Sequence, residues 1–201
     1  MRSTKLSALA GICLFAGVST AHAVDPNGDY SIRGVGAQTC TTLTQSINTD
    51  PANMSLVAAS WLMGYMSALN RTQEGTYDVS PVTDPGGMLQ LVVGLCGQNP
   101  DQLVEAVADS IVRLLAPGRL EASSPLVDTA AGEFTAAVRQ NTLARMQVRL
   151  EELGYDPGTT DGTFTPETSA AFSSYQAAES LPQTGVADSA TIVKLLVPLE
   201  G

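Results

Sequence analysis

The sequence predicts a mainly α fold of two small helical bundles, the N-terminal one disulfide-linked and the C-terminal one a three-helix module. Three observations predict it. Apolar residues recur at helical spacing through residues 40–115 and again through residues 143–196, and nothing in residues 30–115 alternates like a strand over more than a few residues. Gly, Pro and Asp turn signals separate the helical stretches. Between the two stretches, residues 117–125 run Pro-Gly-Arg-Leu-Glu-Ala-Ser-Ser-Pro, rich in breakers and small polar residues, and mark a boundary.

The first 23 residues read as a signal peptide. Arg2 and Lys5 precede an apolar run over residues 6–18, and Ala21-His22-Ala23 supplies the small residues of a cleavage point after Ala23. The run is too short to span a bilayer as a stable helix, so no membrane insertion is expected after cleavage. Ala10-Gly11-Ile12-Cys13 matches a lipid-attachment box only in part. Ile12 stands where a small residue is needed, and cleavage at Cys13 would halve the apolar run. The expected location is the periplasm or the extracellular space.

Removing residues 1–23 leaves 178 residues with eight basic and twenty acidic side chains, a net charge of −12. Residues 24–116 and 117–201 each carry −6. There is no basic stripe to hold phosphates, so nucleic acid is not an expected partner, and anionic headgroups would be repelled. Cys40 and Cys96 remain, and an even pair in an exported chain reads as a disulfide, the alternative being two buried thiols. Closing such a loop contributes about 4 kcal/mol by chain-entropy arguments. His22 is the only histidine and leaves with the signal peptide. Ser-His-Asp and Cys-His mechanisms and His-based zinc sites are thereby excluded, and no metal or cofactor is expected. A carboxylate glycosidase needs only two acids at a suitable separation. Glu105, Asp109, Glu133, Glu151 and Glu152, however, fall on polar helical faces and read as solvated. The chain is not expected to be an enzyme.

Residues 24–116 form the first domain. A short helix is expected over residues 40–47, after Gly34-Val35-Gly36. Residues 54–70 make the strongest candidate, with Leu56, Val57, Trp61, Leu62, Tyr65, Met66 and Leu69 covering most of the circumference. Such a helix is buried between others or partly exposed to a partner. Asp84-Pro85-Gly86-Gly87 introduces a helix over residues 88–96. Asn99-Pro100-Asp101-Gln102 has the pattern of another helix start, whose helix buries Leu103, Val104, Val107, Ile111, Leu114 and Leu115. Trp61 and Tyr65, four apart on one helix, either form a partner-binding patch or pack against the disulfide. Met63, Met66 and Met88 suit a plastic interface or ordinary gap filling. Residues 117–141 are expected as a linker or leader helix, Phe134, Val138 and several alanines lying in residues 129–141.

Residues 142–201 form the second domain. Leu143, Met146, Leu150 and Leu153 define its first helix, which Gly154 ends, and Tyr155-Asp156-Pro157-Gly158 turns the chain. Asp161-Gly162 makes a second tight turn, glycine supplying a positive φ. Thr165-Pro166-Glu167-Thr168 starts the second helix with a capping hydroxyl, Pro at the first position and an acid in the first turn. Thr168, Ala171, Phe172 and Tyr175 face inward from it. Leu181-Pro182 stops that helix, Thr184-Gly185 turns again, and Asp188 caps a last helix with Ile192, Leu195 and Leu196 inside.

This ordered series resembles the peptidoglycan-binding-like domain of bacterial cell-wall proteins. The residues that carry the resemblance are Met146-Gln147, Leu150, Leu153-Gly154-Tyr155, Asp161-Gly162, Phe164, Thr168, Ala171, Tyr175-Gln176, Leu181, Thr184-Gly185, Thr191 and Leu195. Two positions depart from the pattern: Thr165 stands where the family usually has Gly, and Tyr175 where it usually has Phe. The resemblance implies peptidoglycan as the ligand. Tyr155, Asp161, Gly162, Thr165, Tyr175 and Gln176 are the candidate contacts, although Asp161 serves equally well to stabilise its own turn, and Tyr175, with Phe164 and Phe172, suits the core. In the first domain, Gly36, Cys40, Trp61-Leu62-Met63-Gly64-Tyr65, Asn70, Leu95-Cys96, Asn99-Pro100 and Ala106 resemble the HdeA-like and Rap1a-type group, small secreted helical proteins with one disulfide. Known members are acid-stress chaperones and immunity proteins.

The expected function is that of a non-catalytic exported envelope protein. Its second domain binds peptidoglycan, and its first binds an envelope protein or an unfolded client. Alternatives are an immunity or secretion-associated interaction protein without glycan binding, an acid-activated periplasmic chaperone, and a carboxylate hydrolase.

Overall fold

In the computed structural model, which describes residue 25 and residues 27–197, seven α-helices and one β-hairpin follow each other along the chain. Two compact units are present. Met1–Ser31 is the first, and its described part is a local turn in which the Asp25 carboxylate accepts the backbone N–H groups of Asn27 and Asp29. The second unit runs from Ile32 onward and, among the described residues, holds every regular element. The signal-peptide and lipid-box readings, with Cys13 and His22, lie outside the described residues.

A 3-10 turn, Gly34–Ala37, leads into α1 (Cys40–Thr49), α2 (Pro51–Thr72), α3 (Pro85–Gln98) and α4 (Val104–Leu115). The Asp50 and Asp84 carboxylates cap α2 and α3, each followed by Pro at the first helical position. The expected Cys40–Cys96 disulfide joins α1 to α3. Around it Leu43, Leu62, Met88, Val92, Val107 and Leu115 are almost fully buried.

Two features of this part differ from expectation. Residues 99–103 do not begin α4. The Pro100 carbonyl accepts the Thr41 N–H, and the Gln102 carbonyl accepts the Cys40 N–H at 2.8 Å. Those carbonyls satisfy the first N–H groups of α1, which have no partners within their own helix, and so α4 starts only at Val104. Leu103, just before the helix, is 37 % exposed, and Leu114, beside the fully buried Leu115 at the helix end, is 42 % exposed rather than buried. Glu105, expected on a solvated face, is buried and accepts the Tyr65 hydroxyl.

Residues 117–141 are neither a slack linker nor a leader helix. After a second 3-10 turn (Ala116–Gly118), β1 (Leu126–Ala131) and β2 (Phe134–Arg139) form an antiparallel hairpin, with Val127 opposite Val138 and Thr129 opposite Ala136. Gly132 opens the two-residue loop at φ +58°, as tight hairpin turns require. Thr129 and Val138 point inward and are fully buried, whereas Asp128 and Ala137 point out. Glu133, which the sequence places on a polar helical face, is the exposed tip of this loop.

The hairpin fastens the C-terminal helices to the first bundle. Thr83 Oγ1 donates to the Ala137 carbonyl at 2.7 Å, and the Ala187 N–H reaches Thr129 Oγ1 at 3.3 Å. Arg139 lies over the Tyr77 ring at 5.3 Å. The Arg145 guanidinium donates to the carbonyls of Pro117, Gly118 and Arg119. Beyond the hairpin come α5 (Gln140–Glu152), α6 (Pro166–Ala178) and α7 (Ser189–Leu196), closely as the sequence predicts. Leu143, Met146, Leu150, Phe172 and Ile192 fill their common core.

Candidate functional site

Two buried glutamines organise the C-terminal module. Gln147 on α5 accepts the Gly162 N–H at 2.8 Å and donates to the Thr163 carbonyl and to Thr168 Oγ1. Gln176 on α6 accepts the Gly185 N–H at 2.9 Å and donates to Thr184 Oγ1, the Val186 carbonyl and Thr191 Oγ1. Each amide thus ties the turn that follows its helix to the first turn of the next helix. The spacing repeats as well: Gly162, the cap Thr165 and Thr168 are matched by Gly185, the cap Asp188 and Thr191. Desolvating an amide is costly unless it is satisfied, which is why a polar residue is tolerated in this core.

This frame sorts the candidate contact residues. Gln176 is fully buried and its amide is committed, and Tyr175 is only 4 % exposed. Gly162 is also buried, and a Cβ there would overlap the Gln140 carbonyl. These three residues build the interior and present nothing to a ligand, a correction to their expected role. Gly162 is held by Gln147, Gln176 is itself the second clamp, and Tyr175 packs in the core against Tyr155.

Tyr155, Asp161 and Thr165 remain on the connection between α5 and α6. Tyr155 is half-buried, its ring edge against Tyr175 at 5.8 Å. Asp161 is exposed, and the Thr163 N–H, 2.8 Å from its carboxylate, holds its pKa below the ordinary value. Thr165 caps α6 through the Thr168 N–H. Glu167, just inside α6, is likewise held low, by its own backbone N–H first and the Thr165 hydroxyl second. Burial pushes the Tyr175 phenol up to about 12, with the Glu179 charge adding to it.

None of these residues borders the cleft, of about 670 Å³, that runs between α5 and α7. Val148, Leu195 and Leu196 give it apolar walls, and Arg145, Arg149 and Lys194 give it cations. Sequence reasoning passed over it. The signal available was Arg145, Val148, Arg149 and Glu152 on one face of α5, at offsets of three, four and seven.

In the first bundle Trp61 and Tyr65 stack with centroids 5.3 Å apart. Trp61 Nε1 donates to the Arg33 carbonyl at 2.8 Å, and its ring lies so close over Gly36 that a Cβ there would overlap it. Both rings are half-buried, and the Trp61 indole is spent on the turn at Gly34–Ala37. On the same helix Leu56 is 67 % exposed and Val57 49 %.

A family model described as "Putative peptidoglycan binding domain" matches residues 139–195. The matched stretch contains α5 and α6, most of α7, both glutamine clamps and the cleft's lining residues other than Leu196 and Val197. It does not extend to residues 30–116, where the HdeA-like and Rap1a-type resemblance gains no support. No curated protein and no solved structure matches the chain.

Proposed function

We propose that this chain is a non-catalytic, exported envelope protein that holds peptidoglycan through its C-terminal module and a protein partner through its N-terminal helices. The match over residues 139–195 carries the reading, because it falls on a module whose internal clamps are complete. Export is supported by the apolar run at the N-terminus and by the Cys40–Cys96 disulfide, a bond that persists in oxidising compartments. The accessible loop residues Tyr155, Asp161 and Thr165 are the proposed sugar contacts, set on a rigid bundle. Single-site affinity is weak in this reading, and a dense repeated ligand supplies retention.

For the partner, exposed Leu56 and Val57 on α2 are better placed than Trp61 and Tyr65, whose rings already have partners. Photo-crosslinking muropeptides to the full chain tests the assignment to the module. Adducts within residues 140–196 are expected. Adducts confined to α1–α4 would place the ligand on the wrong half of the molecule.

A further inference from the structure

Resting on the peptidoglycan reading, we infer that the α5–α7 cleft takes the carboxylate end of a short wall peptide, with Arg149 and Lys194 holding the carboxylate and Val148 and Leu196 holding its apolar side chains. The charge distribution points to an anion. Three of the eight cations beyond residue 23 line this one cleft, against a single lining acid, Glu152, although that part of the chain carries −12 overall. Local charge outweighs the distant net charge, because screening removes most interaction between exposed charges beyond roughly 8 Å at physiological salt.

The three cations differ in availability. Arg145 is spent on the backbone carbonyls of residues 117–119, outside the cleft's lining, and offers a ligand no free donor. Arg149 pairs with Glu152 at 2.9 Å, and Lys194 with Glu179 at 3.1 Å. In both pairs each side chain is more than a third exposed. Such pairs have little net strength and exchange readily for a ligand carboxylate, which an Arg fork and a Lys ammonium grip in different ways. The apolar walls select the rest of the ligand. Val148 is 42 % exposed on the cleft, and Leu196 is half-buried beside it. A neutral glycan strand satisfies neither feature, whereas a peptide of small apolar residues ending in a free carboxylate satisfies both. The loop residues Tyr155, Asp161 and Thr165 are left for the sugar.

The test titrates the full chain with acetyl-Lys-D-Ala-D-Ala and with its C-terminal amide. Binding of the acid at millimolar or better concentration is expected, with the amide roughly tenfold weaker, the usual cost of losing one charge-assisted contact. Arg149→Gln and Lys194→Gln should each weaken the acid by a similar factor without changing the melting temperature, and Glu152→Gln, which releases Arg149, should strengthen it. Equal binding of acid and amide, or no effect of these variants, would overturn the inference. Sedimentation with purified sacculi separates the two readings. Sacculus binding unchanged in the Arg149→Gln/Lys194→Gln double variant sinks the cleft inference alone. No sacculus binding by the unaltered chain sinks both.

Discussion

Gln147 holds Gly162 across fifteen residues: its Oε1 accepts the Gly162 N–H at 2.8 Å inside the core of the C-terminal module. The bond fixes the path of the α5–α6 connection, and with it the positions of Asp161 and Thr165. Gln176 does the same for Gly185 and the α6–α7 turn. Removing either amide leaves a buried glycine N–H without a partner, at roughly 1–3 kcal/mol, and opens a cavity in the core, while Thr168 keeps the Pro157 carbonyl and Thr191 keeps the Asp188 carboxylate. Gln147→Ala and Gln176→Ala are therefore expected to lose about 3 kcal/mol each, and more than Gln183→Ala, whose side chain is exposed. Denaturant melts of the three variants check the order. Equal stability across the set would show that the clamps are dispensable.

Glycines in this chain split into two kinds, and alanine substitutions separate them. A Cβ on Gly36 would overlap the Trp61 ring, and one on Gly162 would overlap the Gln140 carbonyl at a residue whose φ is +82°. Gly64 and Gly94 are exposed in α2 and α3 with nothing within 4 Å of an added Cβ. Gly36→Ala and Gly162→Ala should lose more than about 1 kcal/mol, while Gly64→Ala and Gly94→Ala should gain about 0.5–1 kcal/mol from helix propensity. Calorimetry on the four variants reads both signs, and a stabilised Gly36→Ala would contradict the packing described here.

The sequence showed the second half of the molecule more clearly than the first. Caps and turns there are local. Thr165 with Pro166, Asp188, and the positive φ at Gly154 and Gly162 each act within a few residues, and all three helices stand where those signals place them. The hairpin was hidden because Ala130, Ala131, Ala136 and Ala137 dilute the alternation that Val127, Thr129 and Val138 carry. The start of α4 was misplaced for a different reason. Asn99-Pro100-Asp101-Gln102 has the composition of a helix start, but its carbonyls serve α1, more than fifty residues earlier in the chain. The cleft was invisible for the same kind of reason, since Arg149 and Lys194 meet only when α5 packs beside α7.

The Cys40–Cys96 bridge joins residues 56 apart in sequence and lies fully buried between α1 and α3. Its loss, by the double Cys→Ala substitution or by reduction in mild denaturant, is expected to remove about 4 kcal/mol. Urea melts with and without reductant measure this. A difference below about 1 kcal/mol would mean that the helices alone hold the first bundle.

Tyr175 supplies a pH signature. Burial favours its neutral phenol and pushes its pKa up to about 12, against an ordinary value of 10.0. Because the folded value is raised, the contribution to stability is complete below the ordinary value and is lost as pH climbs from there toward 12. Phenolate absorbance should show a late ionisation step, together with loosening of the module, and Tyr175→Phe should abolish that step. If all the tyrosines titrate together near the ordinary value, the ring is not buried as described.

The most direct measurement is co-sedimentation of the full chain, beginning after Ala23, with purified sacculi over a range of sacculus concentrations. The fraction pelleted should rise to saturation and return to the supernatant once the sacculi are digested to soluble fragments. A chain that stays in the supernatant at every concentration, while its melting profile shows it folded, would contradict the assignment of its C-terminal module to peptidoglycan.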